Sequence, residues 1–485
     1  MSKITFYKIK LVTRLLTLAL LCVNFVSIAQ NFTQNFNSFP PGSTNNTIDF
    51  ADVDGDGDLD LFLTGQDNSS PYLADLYLNN GSGTFTFSAT LPSGVRLGGA
   101  AFGDVDGDSD LDLVVLGRAD GTSPLEDTSL YLNDGSGNYT ISTNHSMTQL
   151  RSGDVAMADV DGDSDLDVLI SGWDGGGRTI ELHLNNGSGT FTLAAGTSFT
   201  AVTNCALRFG DIDGDSDLDL LIMGDIGGSD EISELYLNNG TGTFTVTTDG
   251  IVDVKTGDAE FADVDGDGDL DVLLAGINNG DSIGAITDLY LNDGSGNFTV
   301  NLTAGFTQME TGSIDFGDVD GDGDLDVLLT GKDLNGSNVA ETLIYHNNGS
   351  GNFTLLTTPF NGVRSGDGKF GDIDGDGDLD VIYSGWDESG RILEIFNSDA
   401  STTFSIEDES LVSFRVFPNP SSDYIEIMNM NNRQIEKLEL FNILGNKVLE
   451  TKNKNQINIS NLSNGIYILK ISSEELSLTK RIIKN

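Results

Sequence analysis

A nine-residue pattern, D-x-D-G-D-[GS]-D-L-D, recurs seven times in this 485-residue chain and constrains its fold more than any other feature. The copies begin at Asp52, Asp104, Asp159, Asp211, Asp263, Asp318 and Asp372, spaced 52 to 55 residues apart. A period of that size marks a repeat architecture with one supersecondary unit per copy. Each copy also sets five aspartates in nine positions. Two unit charges ~4 Å apart repel by roughly 4 kcal/mol at an effective dielectric near 20, so each loop is expected to hold a cation.

The expected ligands of the first copy are Asp52, Asp54, Asp56, Asp58 and Asp60, at positions one, three, five, seven and nine. Their counterparts are Asp104, Asp106, Asp108, Asp110 and Asp112; Asp159, Asp161, Asp163, Asp165 and Asp167; and Asp211, Asp213, Asp215, Asp217 and Asp219. The last three copies supply Asp263, Asp265, Asp267, Asp269 and Asp271; Asp318, Asp320, Asp322, Asp324 and Asp326; and Asp372, Asp374, Asp376, Asp378 and Asp380. Position seven would offer its backbone carbonyl, and Gly55 at position four permits the tight turn. An all-oxygen cage of this charge suits Ca²⁺, up to one per repeat. An EF-hand needs an acid at position twelve, where this chain has Leu63, Val115, Ile170, Ile222, Leu274, Leu329 and Tyr383. That excludes an EF-hand or a dockerin module.

A full unit reads "FADVDGDGDLDLFLTG", a variable stretch, then "LYLNNGSGTFTF". A strand enters the aspartate loop, an apolar strand leaves it, and two more flank a Gly-Ser-Gly turn. Four strands repeated seven times describe an all-β chain, a seven-bladed β-propeller. The units resemble FG-GAP/VCBS repeats, the calcium-loop blades also found in the integrin α-subunit propeller, over roughly residues 48–407. The resemblance implies that the calcium loop joins the first and second strands of each blade, on the face opposite the usual ligand surface. Two segments compete to close the ring as an outermost strand: "NFTQNF" at 31–36 and "STTFSI" at 401–406.

Residues 1–29 read as a secretory signal peptide, with Lys3, Lys8, Lys10 and Arg14 before an apolar stretch, and Ser27 and Ala29 placed for cleavage. The mature chain is then expected to lack a transmembrane segment, and Cys205, its only cysteine, is expected to be a buried core thiol. Residues 30–410 form the propeller. Residues 411–485 carry ten Lys+Arg against seven Asp+Glu and no aspartate repeat, and their strand-like runs predict a small C-terminal β-sandwich. The stretches "RVFPNPSSDYIEI", "IEKLELFNILGNKVLE", "INISNLSNGIYILKI" and "KRIIKN" closely resemble the C-terminal sorting domain of the Bacteroidetes type IX (Por) secretion system. That resemblance implies the secretion machinery as a partner and a secreted or outer-surface location.

Taking the tail's +3 and the leader's +4 from the total of −51 leaves −58 on residues 30–410, which argues against nucleic acid as a partner. The propeller's ten cations are Arg96, Arg118, Arg151, Arg178, Arg208, Lys255, Lys332, Arg364, Lys369 and Arg391, none of them in an aspartate loop or a "NNGSG" turn. This predicts a charge-segregated pair of faces, the one away from the loops being the binding surface. Trp173 and Trp386 occupy equivalent places, followed five residues later by Arg178 and Arg391. Such units suit a sugar ring or a protein hot spot, or else pack between blades. Catalysis is weakly signalled: "GDSIG" around Ser282 lacks a following helix, and His145, His183 and His346 read as structural. The expected function is a non-catalytic binding or adhesion module for a glycan or protein ligand. The alternative is a lyase-like, polysaccharide-degrading enzyme on a calcium propeller.

Overall fold

The computed structural model describes most of residues 31–399, with gaps at 36–41, 68–71, 122–123, 248–249, 280–283 and 335–338, and the tail's strands between 414 and 484. The expected signal peptide, Ser282 and the 401–406 segment lie outside the described residues. The chain divides into two compact units, Met1–Ala400 and Ser401–Asn485, and no helix occurs among the described residues.

The first unit holds seven antiparallel sheets, one per repeat, with strands in sequence order from first to fourth in the first six. The third repeat is typical, with strands Arg151–Ala158, Asp167–Trp173, Arg178–Leu184 and Thr192–Leu193. The second strand carries a continuous apolar run, Leu61–Leu63 within Asp60–Gly65, and all six residues of that strand are buried. Neighbouring blades cover both faces of that strand, so it has no solvent side on which an alternating polar pattern could appear.

Seven apolar clusters join the blades in a closed circle. Val53 and Phe62 of the first pack with Leu113 and Tyr131 of the second, and so on round to the seventh, whose Ile373, Ile382 and Ile395 pack with Ile48, Leu61 and Leu63 of the first. The seventh blade takes its fourth strand from the other end of the chain. Asn31–Gln34 pairs antiparallel with Arg391–Asp399, Asn31 opposite Asp399 and Gln34 opposite Phe396. Of the two candidates for closing the ring, the N-terminal one fills this place.

First strands line an axial channel, and each bulges at a residue with left-handed backbone: Asn45, Leu97, Ser152, Asn204, Thr256, Thr311 and Ser365. Main-chain bonds link these bulges from blade to blade, among them Leu97 N–H to Asn45 O at 2.9 Å and Asn45 N–H to Ser365 O at 2.7 Å. Glycine follows the bulge in five blades because the next strand passes so close; a Cβ on Gly153 would lie 1.7 Å from the Ser171 carbonyl oxygen. Cys205 takes that place in the fourth blade. It is half-buried rather than fully buried, packed against the apolar cluster between the third and fourth blades while lining the channel, with its pKa pushed up by burial.

The second unit is a small sandwich. One sheet holds Phe414–Phe417, Tyr424–Asn429 and Gln456–Asn458; the other holds Ile435–Asn442, Lys447–Lys452, Gly465–Ser473 and Ser477–Lys484. Ile425, Ile427, Leu438, Leu440, Leu469 and Ile471 fill the space between them.

Candidate metal centres and the opposite face

Each aspartate loop closes the hairpin between first and second strands. Position nine opens the second strand, paired with the residue that precedes position one, as Asp60 with Ala51 and Asp380 with Gly371. The acids divide the work. Asp52 Oδ1 accepts the N–H groups of Gly55 (2.9 Å) and Asp56 (3.1 Å), and its Oδ2 accepts that of Gly57 (3.0 Å). Asp60 Oδ2 accepts Val53 N–H at 3.0 Å and its Oδ1 accepts Asn79 N–H at 2.8 Å, tying the loop to the third strand. Position six as well as position four is left-handed, glycine in four copies and Ser109, Ser164 and Ser216 in the others.

Position three is different. Its Oδ1 is buried without a hydrogen-bond partner in Asp54, Asp106, Asp161, Asp213, Asp265 and Asp374, the same atom in six of the seven loops. Buried carboxylate oxygens seldom lack a partner. In the sixth loop His346 stands where five other blades have leucine and the seventh has Asn397, its Nδ1 3.6 Å from Asp320 Oδ2. Carboxylate oxygens of positions one, three and nine converge within 4.8 Å in the first, third, fourth and fifth loops; in the second, positions one, three and five do. The position-seven carboxylates are turned elsewhere. Asp58 lies against Gly81 and Asp165 against Gly187, both glycines of the "NNG" turns, so that only the position-seven carbonyl is left to face the loop centre. Burial pushes the position-nine acids up, to about 6 at Asp60 and Asp219 and about 7 at Asp326 and Asp380. Position-three acids shift the same way, through burial first and the position-five neighbour second. A dication is what these shared carboxylates and the repeated orphan oxygen fit.

The repeated asparagine of "LYLNN", which sequence reasoning passed over, fixes each loop's surroundings. Asn238 Nδ2 donates to Val160 O of the preceding blade's loop at 2.8 Å, and Asn79 does the same to Ile373 O across the ring closure. Its recurrence in six blades was the available signal. The channel holds a second missed set: Asp49, Asp154, Asp258, Glu260, Asp315 and Asp367 around Arg208 and Lys369. Several of these acids staple blade to blade, Asp154 Oδ2 accepting Leu207 N–H (3.0 Å) and Asp367 Oδ2 accepting Ile48 N–H (2.8 Å). Arg208 bonds Asp154 (3.0 Å), Asp258 (2.6 Å) and Glu260 (2.6 Å). Arg208 and Lys369 thus belong to the channel and not to an outer face.

The other eight cations share one layer, the strand ends farthest from the aspartate loops. They occupy a single register position across the blades: Arg96 opposite Arg118, Arg151 opposite Trp173 and Trp173 opposite Arg178, Lys255 opposite Ile277, Lys332 opposite Glu310, Arg364 opposite Trp386 and Trp386 opposite Arg391. Five of the eight pair with acids: Arg151 with Glu126, Arg178 with Asp225, Lys255 with Glu231, Lys332 with Glu310 and Arg364 with Glu388. Arg178 lies over Trp173 at 6.0 Å and Arg391 over Trp386 at 5.9 Å. Both arginines also reach the next blade, Arg178 Nε donating to Asp225 O and Arg391 Nε to Thr44 Oγ1. The tryptophans are half-buried. His183 is buried, its Nε2 2.9 Å from Glu181.

Family models match both units. The FG-GAP-like repeat matches residues 52–115, 159–222 and 263–329, each span running from one aspartate loop through the next. The secretion system C-terminal sorting domain matches residues 415–485. The protein carries FG-GAP-like repeats and a type IX sorting tail. That tail directs secretion to the cell surface or the extracellular space. Ulvan lyase NLR42 of Nonlabens ulvanivorans is 37% identical over 79 residues, 16% of this chain and 15% of that relative. Among solved structures, the extracellular domain of the hybrid two component system BT3049 from B. thetaiotaomicron has 12% identity and a TM-score of 0.42, over 94% of this chain and 58% of that one. The sialidase of Trypanosoma rangeli has 9% identity and a TM-score of 0.35, over 90% and 89%.

Proposed function

We propose that this secreted propeller is a calcium-stabilised, non-catalytic binding module that takes glycan or protein ligands on the face opposite its aspartate loops. One observation carries the reading: eight of the ten propeller cations lie in a single layer at that face, interleaved with Trp173 and Trp386, while the aspartate loops crowd the other. Gathering the cations at one end of a strongly acidic ring makes that end the least repulsive approach for a ligand. In each loop, positions one, three, five and nine would hold calcium with carboxylates and position seven with its carbonyl. Bound calcium supplies charge neutralisation and a cross-link between the first two strands. The orphan position-three oxygen supports this assignment.

The test is retention of the whole calcium-loaded protein on a panel of immobilised polysaccharides, with Trp173→Ala and Trp386→Ala as variants. Retention that falls in the variants supports a glycan-binding face; no retention on any polymer turns the reading to a protein ligand. A polysaccharide lyase is the second reading, favoured by the 79-residue likeness to an ulvan lyase. That stretch is too short to span the seven sheets, and release of unsaturated oligosaccharides from a bound polymer would decide for it.

A further inference from the structure

The second blade breaks the charge economy of the binding layer. Arg96 and Arg118 stand directly opposite each other on adjacent antiparallel strands. Cross-strand partners have Cβ atoms about 5 Å apart on one face of the sheet, where like charges destabilise. Neither arginine has an ion pair among the described residues, and each has a buried Nε with no acceptor. Glu126 lies opposite Arg118 on the next strand but is turned to Arg151, 2.8 Å away. The flanking stretches 68–71 and 122–123 contain no acid. In a propeller of net −58 this is an anomaly, because every other cation of the layer has found a carboxylate or, for Arg391, the Thr44 hydroxyl.

The pair is also preorganised. The Arg96 guanidinium sits 5.1 Å from the centroid of the Tyr72 ring, which limits its rotamers. The next residue, Leu97, is a channel bulge, held in place where the bulges of all seven blades ring a cavity of about 200 Å³. Guanidinium groups bind carboxylate and sulfate oxygens bidentately, with geometric selectivity that a lysine lacks. Aromatic rings at the same layer offer flat surfaces to sugars. We infer that Arg96 and Arg118 bind a compact anionic group, a carboxylate or a sulfate ester, carried on an extracellular glycan. This rests on the binding face proposed above.

The whole calcium-loaded protein is applied to immobilised polygalacturonate, dextran sulfate and neutral dextran at about 0.15 M salt, where long-range attraction is screened within ~8 Å. The variants are R96Q, R118Q and, as a control that removes the same charge from an acid-paired lysine of the sorting tail, outside the binding layer, K437Q. Retention on one anionic polymer is expected, weakened at least about tenfold in R96Q and R118Q and less than about twofold in K437Q. The polymer retained tells carboxylate from sulfate. R118Q should melt no lower than the parent, because it relieves a like-charge contact; a purely structural arginine would lose stability instead. Equal weakening in K437Q means diffuse charge attraction and overturns the site. Retention on neutral dextran alone, indifferent to R96Q and R118Q, overturns the site and leaves the binding face standing. Failure to retain any polymer overturns the glycan ligand; modification of Arg96 and Arg118 by phenylglyoxal, followed by peptide mass, then shows whether galacturonate or sulfate ions still protect them.

Discussion

Arg208 is the residue whose removal most directly tests the account of the channel. From the fourth blade's first strand, its guanidinium serves three carboxylates on the first strands of the third and fifth blades, Asp154 at 3.0 Å, Asp258 at 2.6 Å and Glu260 at 2.6 Å. Arg208→Met keeps most of the stem's volume but leaves those acids with Lys369 as the channel's other cation. Breaking a buried ion pair from one side costs about 3–5 kcal/mol, an upper bound here because Arg208 and its three acids keep 13–24% of their exposure in the channel. Unfolding entropy is about 2.1 cal/mol/K per residue, so over roughly 370 residues the loss is a fall of up to about 4–6 °C in Tm. The cost depends on pH with a definite sign. Burial already raises Asp154 and Glu260 above their ordinary values, and losing the arginine raises them further. The folded state then binds more protons than the unfolded state, so the variant's deficit grows as pH rises from about 4 and shrinks on acidification. Urea midpoints of parent and variant at pH 5, 6, 7 and 8, with saturating calcium, measure it. A deficit under about 1 kcal/mol, or one that does not change between pH 8 and pH 5, would refute the picture of a shared buried cation.

Three further outcomes follow from the same geometry. Asp49 is pushed up to about 6 from 3.8, chiefly by burial and against the pull of Lys369, with Asp367 and Asp315 adding to the rise. Its charge therefore costs about 3 kcal/mol above pH 6 and nothing near pH 4, and Asp49→Asn should be the more stable protein at pH 8 with the advantage gone by pH 4. Asn238→Ala removes bonds to Val160 O (2.8 Å) and Leu218 O (3.1 Å); Val160 O keeps the Gly242 N–H at 2.9 Å, so the expected loss is about 1–2 kcal/mol, readable in the urea midpoint. Chelation should lower Tm by far more than an equal ionic strength of sodium chloride; each site at a hundredfold excess over its dissociation constant adds about 2.7 kcal/mol, and superimposable melting curves would remove calcium from the account.

The nine-residue aspartate pattern was legible because everything it needs is local. Ligand spacing, the turn at Gly55 and the apolar strand after Asp60 all fall within one short stretch, and seven copies give seven sheets. The sorting tail was equally legible, from motifs in the tail itself. What tertiary structure decided depends on residues far apart in the chain. Ring closure by Asn31–Gln34 joins positions 368 apart at Asn31 and Asp399, where two segments of similar sequence were both eligible. Arg208 and Lys369 looked like surface cations until the first strands turned them into the channel, and the "LYLNN" asparagines looked like turn residues until they reached the neighbouring loop. Arg96 and Arg118 were visible as two cations among ten, but only strand register sets them opposite each other without an acid. A repeat unit encodes its own fold within about 50 residues; which of its side chains end up facing one another is fixed by the closing of the circle, since each blade buries its faces only against its neighbours.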